Sequence, residues 1–271
     1  MTAVNMSTIK GLAIAALAFA ICGSRTALAQ ATDPHTVRPE RPTVATHAGT
    51  VAPGWIEIEW GVEWDRYDDD SHGGSVPIVA KIGLTPRAQL NVVQSPVRPP
   101  GEGSIHASDL TVGVKWRLAD DAPVLGRFAI FPNVKFPTGS AVLGSGTGTT
   151  DAGLLLISSH DLGPVAMDLN VGYTRRSGDG LTAPRNATVW TASFGGPAAG
   201  SVGWVAELYG YPRTTGPAGQ DNIVAFLVGP TFGVRPWFAL DVGVIAPLAG
   251  PQPRAVYFGG VWNVGRAWTA K

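Results

Sequence analysis

The sequence predicts an all-β fold, an antiparallel up-and-down transmembrane β-barrel of about 12 strands. Three observations predict it. Apolar and polar side chains alternate with a period of two through much of the chain, as they do in strands whose two faces meet different surroundings. The breaks between these segments are alternately short and long, which fits tight turns at one end of a barrel and loops at the other. The apolar run "GLAIAALAFAIC" (Gly11–Cys22) is too short to cross a bilayer as a helix, and no later run reaches the roughly 18 apolar residues that a membrane helix needs. A chain of this kind enters a membrane through its strands.

Composition agrees with that class. Of 271 residues, 45% are hydrophobic and 15% charged, with Gly 35 and Pro 22, a mixture suited to many short strands joined by turns. Formal net charge is zero. Neutrality, with no basic stripe interleaved with aromatics, argues against a nucleic-acid partner.

Taken in order, residues 1–29 read as a signal peptide. The apolar run follows Lys10 and precedes "TALAQ", where Ala27 and Ala29 are placed for cleavage after Ala29. Cys22 is the only cysteine, so the exported chain would hold none. The rival reading, a lipoprotein site at Cys22, is opposed by the bulky Ile21 before it. Residues 30–52, rich in Pro, Thr and Ala without periodicity, read as an N-terminal extension or linker with no assigned role. The barrel is expected over residues 53–271.

Its first strand, "GWIEIEWGVEW", sets Ile56, Ile58, Trp60, Val62 and Trp64 on one face and Glu57, Glu59 and Glu63 on the other. "SVPIVAKIGL" opposes Lys81 to Ile78, Ala80 and Ile82, and "AQLNVV" opposes Gln89 and Asn91 to Leu90 and Val92. In "DLTVGVKWRL", Asp109, Thr111, Lys115 and Arg117 oppose Leu110, Val112, Val114 and Trp116. "VAMDLNVGYT" opposes Asp168 and Asn170 to Met167, Leu169 and Val171. Alternation is weaker in the remaining segments, and near Val224–Val234 both parities are apolar, which counts against a wet interior there. Short turns at "LTPR", "ADDAPVLG", "HDLGP", "GGPAAG" and "VRPW" alternate with longer stretches around residues 67–74, 95–107, 137–148, 176–185 and 212–220. Both chain ends then fall on the short-turn side.

Alternation alone allows a soluble barrel with its oily face inward or a membrane barrel with that face on lipid. The export signal, the strand number and the placement of Trp60, Trp64, Trp116 and Trp262 near strand ends favour the membrane form, where such aromatics make interfacial girdles. On this reading Glu57, Glu59, Glu63, Lys81, Asp109, Lys115, Arg117, Lys135, Asp168 and Glu207 face the lumen and are the candidates for selectivity. Their mixed signs imply a salt-bridged plug or a water-filled passage, and no strongly ion-selective ring.

Several stretches, in order, resemble the outer-membrane transporter family named for the MetA pathway of phenol degradation. They are "DLTVGVKWRL", "NVKFPTGS" (Asn133–Ser140), "GSGTGTTDAGLLL" (Gly144–Leu156) and "DLNVGYT" (Asp168–Thr174), with a looser match in "PIVAKIGLTPRAQLNV". The resemblance implies a barrel in the outer membrane of a Gram-negative bacterium that passes small aromatic or apolar molecules. One departure is the chain end, "VWNVGRAWTAK", which lacks the terminal aromatic common in such barrels.

The expected function is passive passage of small solutes by a monomer among outer-membrane lipid and lipopolysaccharide, with no cofactor, no metal and no catalytic residue. Two alternatives stand beside it. One is a barrel-borne lipid hydrolase using His160 with Ser158, Ser159 and Asp161. Residues two apart on a strand are about 7 Å apart, which sets Ser158 and His160 beyond a direct hydrogen bond. The other is a secreted soluble ligand carrier. "DRYDDDSHGG" (Asp65–Gly74) reads as a solvated acidic loop, since it lacks the ligand spacing of an EF-hand. The glycine-rich "GSGTGTT" lacks a Lys-Ser/Thr ending and a following helix, so it reads as a mobile loop and not a phosphate cradle.

Overall fold

The computed structural model describes residues 33–269, so the expected signal peptide lies outside the described residues. Fourteen strands follow one another: β1 (Trp55–Arg66), β2 (His72–Ser75), β3 (Ile78–Thr85), β4 (Ala88–Gln94), β5 (Val97–Arg98), β6 (Leu110–Ala122) and β7 (Gly126–Phe136). The second half holds β8 (Asp151–Leu162), β9 (Val165–Arg176), β10 (Asn186–Ala199), β11 (Val202–Tyr211), β12 (Ile223–Arg235), β13 (Phe238–Ala249) and β14 (Arg254–Arg266). There is no helix among the described residues.

Twelve of these strands pair antiparallel in the order β1-β3-β4-β6 through β14, and β14 pairs back onto β1, which closes a 12-stranded barrel. Closure leaves the ring without an open edge, the arrangement a wall of alternating strands requires. β2 and β5 continue the lines of β3 and β4 past the ring, against the far end of β1. The interruptions fall at Pro77 and Pro96, whose missing N–H groups cannot serve a ladder.

Turns obey the expected alternation. β8 and β9 are joined by Gly163–Pro164 alone, where Gly163 has φ 74°, as the first position of a tight primed turn demands. At the other end, loops 95–109, 137–150, 177–185 and 212–222 separate the strands. β1 starts and β14 finishes beside each other at the short-turn end, with Trp55 opposite Arg266.

The parities separate as β1 foretells. Trp64, Trp116 and Trp262 are exposed on the outer wall, and Trp60 packs edge-on against Phe258. Glu57, Glu59, Lys81, Gln89, Lys115, Asn170 and Glu207 are buried on the other parity. β12 is apolar on both faces for a specific reason. Its inner residues Ala225 and Leu227 join Val205, Tyr209, Ile245, Ala255 and Tyr257 in an apolar sector of the inner wall. Tyr257 lies flat across the β12–β13 seam, where its hydroxyl would be 2.6 Å from any Cβ placed at Gly229. The interior is thus divided, with an oily patch along β11–β14, among which Glu207, Asp241 and Asn263 also face inward, and a charged side along β1–β6.

A lumen filled by the segment before β1

Residues 33–54 form no strand, yet side chains from most of the ring bond them. An extended backbone in a closed space needs partners for its N–H groups, and here inward side chains supply them. The amide of Arg38 donates to Glu57 Oε2 at 2.8 Å and that of Glu40 to Glu59 Oε1 at 2.7 Å. Across the barrel, the amides of Val44 and Ala45 donate to the two carboxylate oxygens of Glu207 at 2.8 and 2.6 Å. Asn170 bonds the backbone of Thr46 through both its amide atoms. Ala48 N–H donates to Ser159 Oγ at 2.8 Å, and Val51 N–H to Gln89 Oε1 at 2.7 Å. Asn263 Nδ2 donates to the carbonyl of Pro34 at 3.1 Å. A segment held from β1, β4, β8, β9, β11 and β14 at once lies within the ring.

Charge reinforces the fit. Lys81, fully buried, stands directly opposite Glu57 in the ladder and bonds Glu57 at 2.5 Å, Glu59 at 2.6 Å and the Arg38 carbonyl at 2.6 Å. Lys115 pairs with Glu40 and donates to the His47 carbonyl at 2.9 Å. Each buried cation therefore has a carboxylate and a segment carbonyl, so the charges are compensated in place. Arg41 reaches Asp241 at 3.3 Å, its guanidinium seated over the paired glycines Gly61 and Gly259. A Cβ at either glycine would overlap it, so the wall is notched to receive this side chain. Ala48 packs on Ala129 and Ile157 at a small apolar spot nearby.

Other candidates sit elsewhere. Asp168 accepts from Ser159 Oγ at 2.5 Å, beside the segment. Arg117 is at the short-turn end, donating to the carbonyl of Pro86 at 2.7 Å and pairing with Asp120 at 2.9 Å. Glu63 lies toward the long-loop end of β1, above the segment, on a cavity of about 390 Å³. Asp109 and Lys135 form a separate cluster at that end. Lys135 pairs with Asp109 and with Asp151 at 3.3 Å, and Arg176 reaches Asp151 at 3.3 Å.

This cluster corrects the reading of "GSGTGTT" as a mobile loop. Asp109 accepts from the amides of Gly139 and Thr147, both at 3.0 Å, and Lys135 bonds Thr147 Oγ1 at 2.6 Å and the Thr149 carbonyl at 2.9 Å. Burial pushes the Asp109 carboxyl up, but Lys135 and the two amides outweigh it and hold it below the usual carboxylate range. A depressed carboxylate contributes stability above its unfolded pKa and loses it as pH falls through the folded value. The loop is therefore expected to stay clamped at about pH 4 and to loosen only in stronger acid. Asp109→Ala should expose residues 137–150 to proteinase K at neutral pH while the barrel stays intact, a difference that limited proteolysis with mass mapping reads directly.

Ser158 and His160 require a second correction. Their side chains lean together on the outer wall, and Ser158 Oγ is 2.9 Å from His160 Nε2. The 7 Å spacing describes the backbone, and the two side chains span it. The bond still does not make a nucleophile. Ser158 Oγ donates to the Leu125 carbonyl at 2.7 Å, so it accepts from His160 and its proton is not available to that ring. Asp161 pairs with Arg127 at 3.3 Å and not with His160. Ser158 thus ties the β6–β7 turn to β8, and Ser158→Ala is expected to cost about 1 kcal/mol in an unfolding titration, as one lost hydrogen bond does.

Compared by sequence, the chain matches no family model and no curated protein. Its fold is shared with solved barrels. An outer membrane channel from Pseudomonas putida F1 aligns with a TM-score of 0.61 at 14% identity, covering 83% of this chain and 99% of that one. The NanC porin aligns at 0.53 and 10% identity over 77% of this chain and 98% of its own. The KdgM porin, solved with disordered oligogalacturonate, aligns at 0.51 and 12% identity over 76% and 98%. At these identities the likeness concerns the fold, a closed barrel of the kind that outer membrane channels and porins have.

Proposed function

We propose that this protein is an outer-membrane channel for passive movement of small solutes, closed at rest by residues 33–54. The carrying observation is the set of bonds from inward side chains around the ring to the backbone of that segment. The same atoms that would line an open passage, Glu57, Glu59, Lys81, Lys115 and Glu207 among them, here hold a plug. Displacement of the segment frees them to act as the polar lining, and the long-loop end with Asp109 and Lys135 then faces the cell exterior. The shared fold with outer membrane channels supports this location, and the exposed outward Trp residues suit lipid contact. The ordered resemblance to the MetA-pathway family supports small aromatic or apolar solutes. Asp168 and Arg117 would complete the lining toward the short-turn end.

The test compares influx of a small aromatic acid, a sugar and a large dextran into liposomes holding residues 30–271 with that of a chain begun at Gly54. A double variant, Ala48→Cys with Ser159→Cys, covers the case in which the shortened chain fails to assemble, because Cys22 lies outside residues 30–271 and the pair is the only thiol source. Small solutes should pass faster through the shortened chain and through the reduced pair than through the oxidised pair. Equal influx in all forms, with insertion verified, would overturn the proposal.

A further inference from the structure

The cavity above the plug combines three features that belong to one kind of ligand. Its floor is residues 40–46 and its wall is the oily sector, with Tyr209, Tyr211, Leu227, Ile245 and Tyr257 against it. Tyr209 and Tyr211 meet edge to face with ring centroids 6.1 Å apart, and both line the space. The Tyr257 hydroxyl is buried without a hydrogen-bond partner, and the side chain is 2% exposed. The volume, about 390 Å³, suits a ring with a short chain.

Charge decides the rest. The lining holds three carboxylates, Glu40, Glu59 and Glu63, and one cation, Arg41, which bonds Asp241 and keeps its buried Nε without a partner, while Lys81 is engaged by Glu57 and Glu59 and Lys115 by Glu40. Glu207 has both oxygens occupied by segment amides. Glu63 stands at the cavity with its carboxyl in contact with that of Asp65 two residues on, and one buried Asp65 oxygen has no hydrogen-bond partner. An anion entering here meets more carboxylates than cations. A cation meets carboxylates beside aromatic rings, and both attract it.

We propose that this cavity binds an apolar organic cation, an amine carried on an aromatic or aliphatic body, with its nitrogen at Glu63 and its body on the tyrosine wall. This names a solute class for the channel and rests on that reading for its purpose, though binding itself needs no transport. The probe is 2-phenylethylammonium, titrated by calorimetry into the detergent-solubilised chain beside 3-phenylpropionate and 2-phenylethanol, which share its body. The cation should bind at least roughly tenfold more tightly than either, the scale of one charge-assisted contact in a shielded site. Glu63→Gln should abolish the preference and leave the weak binding of 2-phenylethanol, while Tyr211→Leu should weaken all three. Similar binding of the three probes, or a preference that survives Glu63→Gln in a folded barrel, overturns the proposal. Liposome influx separates it from the channel reading. A cation preference without influx would keep the site and remove the channel, whereas influx without preference would do the reverse.

Discussion

Replacing Lys81 with methionine is expected to lower the unfolding free energy by about 3–5 kcal/mol, as removal of one partner from a buried ion pair does. The size follows from what remains. Glu57 and Glu59 share the one ammonium at 2.5 and 2.6 Å, and both are almost wholly shielded from water. Without it, two carboxylates two residues apart face the same shielded space, and the Arg38 carbonyl loses its nearer partner, keeping His47 Nε2 at 3.3 Å. Methionine keeps much of the volume, so the loss reports charge and not a cavity. Adding Glu59→Gln should restore part of the stability, because one of the two unpaired charges is gone. A urea titration of tryptophan fluorescence in detergent checks both variants, and a loss under 1 kcal/mol in the single variant would mean that water reaches this cluster.

Gly61→Val is expected to release the segment without touching a charge. Arg41 holds Asp241 only because the paired glycines Gly61 and Gly259 leave a notch for its guanidinium. Valine favours a strand, so the wall should tolerate the change, but its branched side chain fills the notch. The guanidinium must then leave Asp241 buried and unpaired or move together with the segment. Small-solute influx should rise severalfold, toward that of the chain begun at Gly54, and cleavage between residues 33 and 50 should become easy. Arg41→Ala is the comparison. It leaves the notch empty, and its effect should be smaller if the remaining amide bonds suffice. Unchanged influx in Gly61→Val would show that Arg41 contributes little to closure.

Local physics made the ring legible. In β1 each step of sequence reverses the face, so Glu57 and Ile58 declare their sides without any knowledge of neighbours. Turn residues such as Gly163–Pro164 declare the reversals in the same way. That residues 33–54 form the plug was not legible, because the groups that hold them are mostly their own N–H groups, which every residue but proline carries. Their partners are remote, with Ala45 and Glu207 separated by 162 positions. A stretch that neither pairs nor coils has no period, and lack of period reads as linker. The oily inner sector was hidden for a related reason. Leu227 inside and Phe226 outside look alike in sequence, though one borders the cavity and the other the outer surface. Ser158 and His160 show the limit of counting by backbone rise, since side chains on one face converge.

The docked segment also keeps a record of time. It emerges before β1, yet its anchors include Glu207 on β11 and Asn263 on β14, the last strand along the chain. Its full set of partners exists only after β14 has met β1. Until then Lys115 lacks Glu40, and Glu207 lacks the two amides that occupy it. Contacts this far apart along the chain are slow to form. The segment therefore acts as a final latch, and its docking marks a ring that has finished assembling.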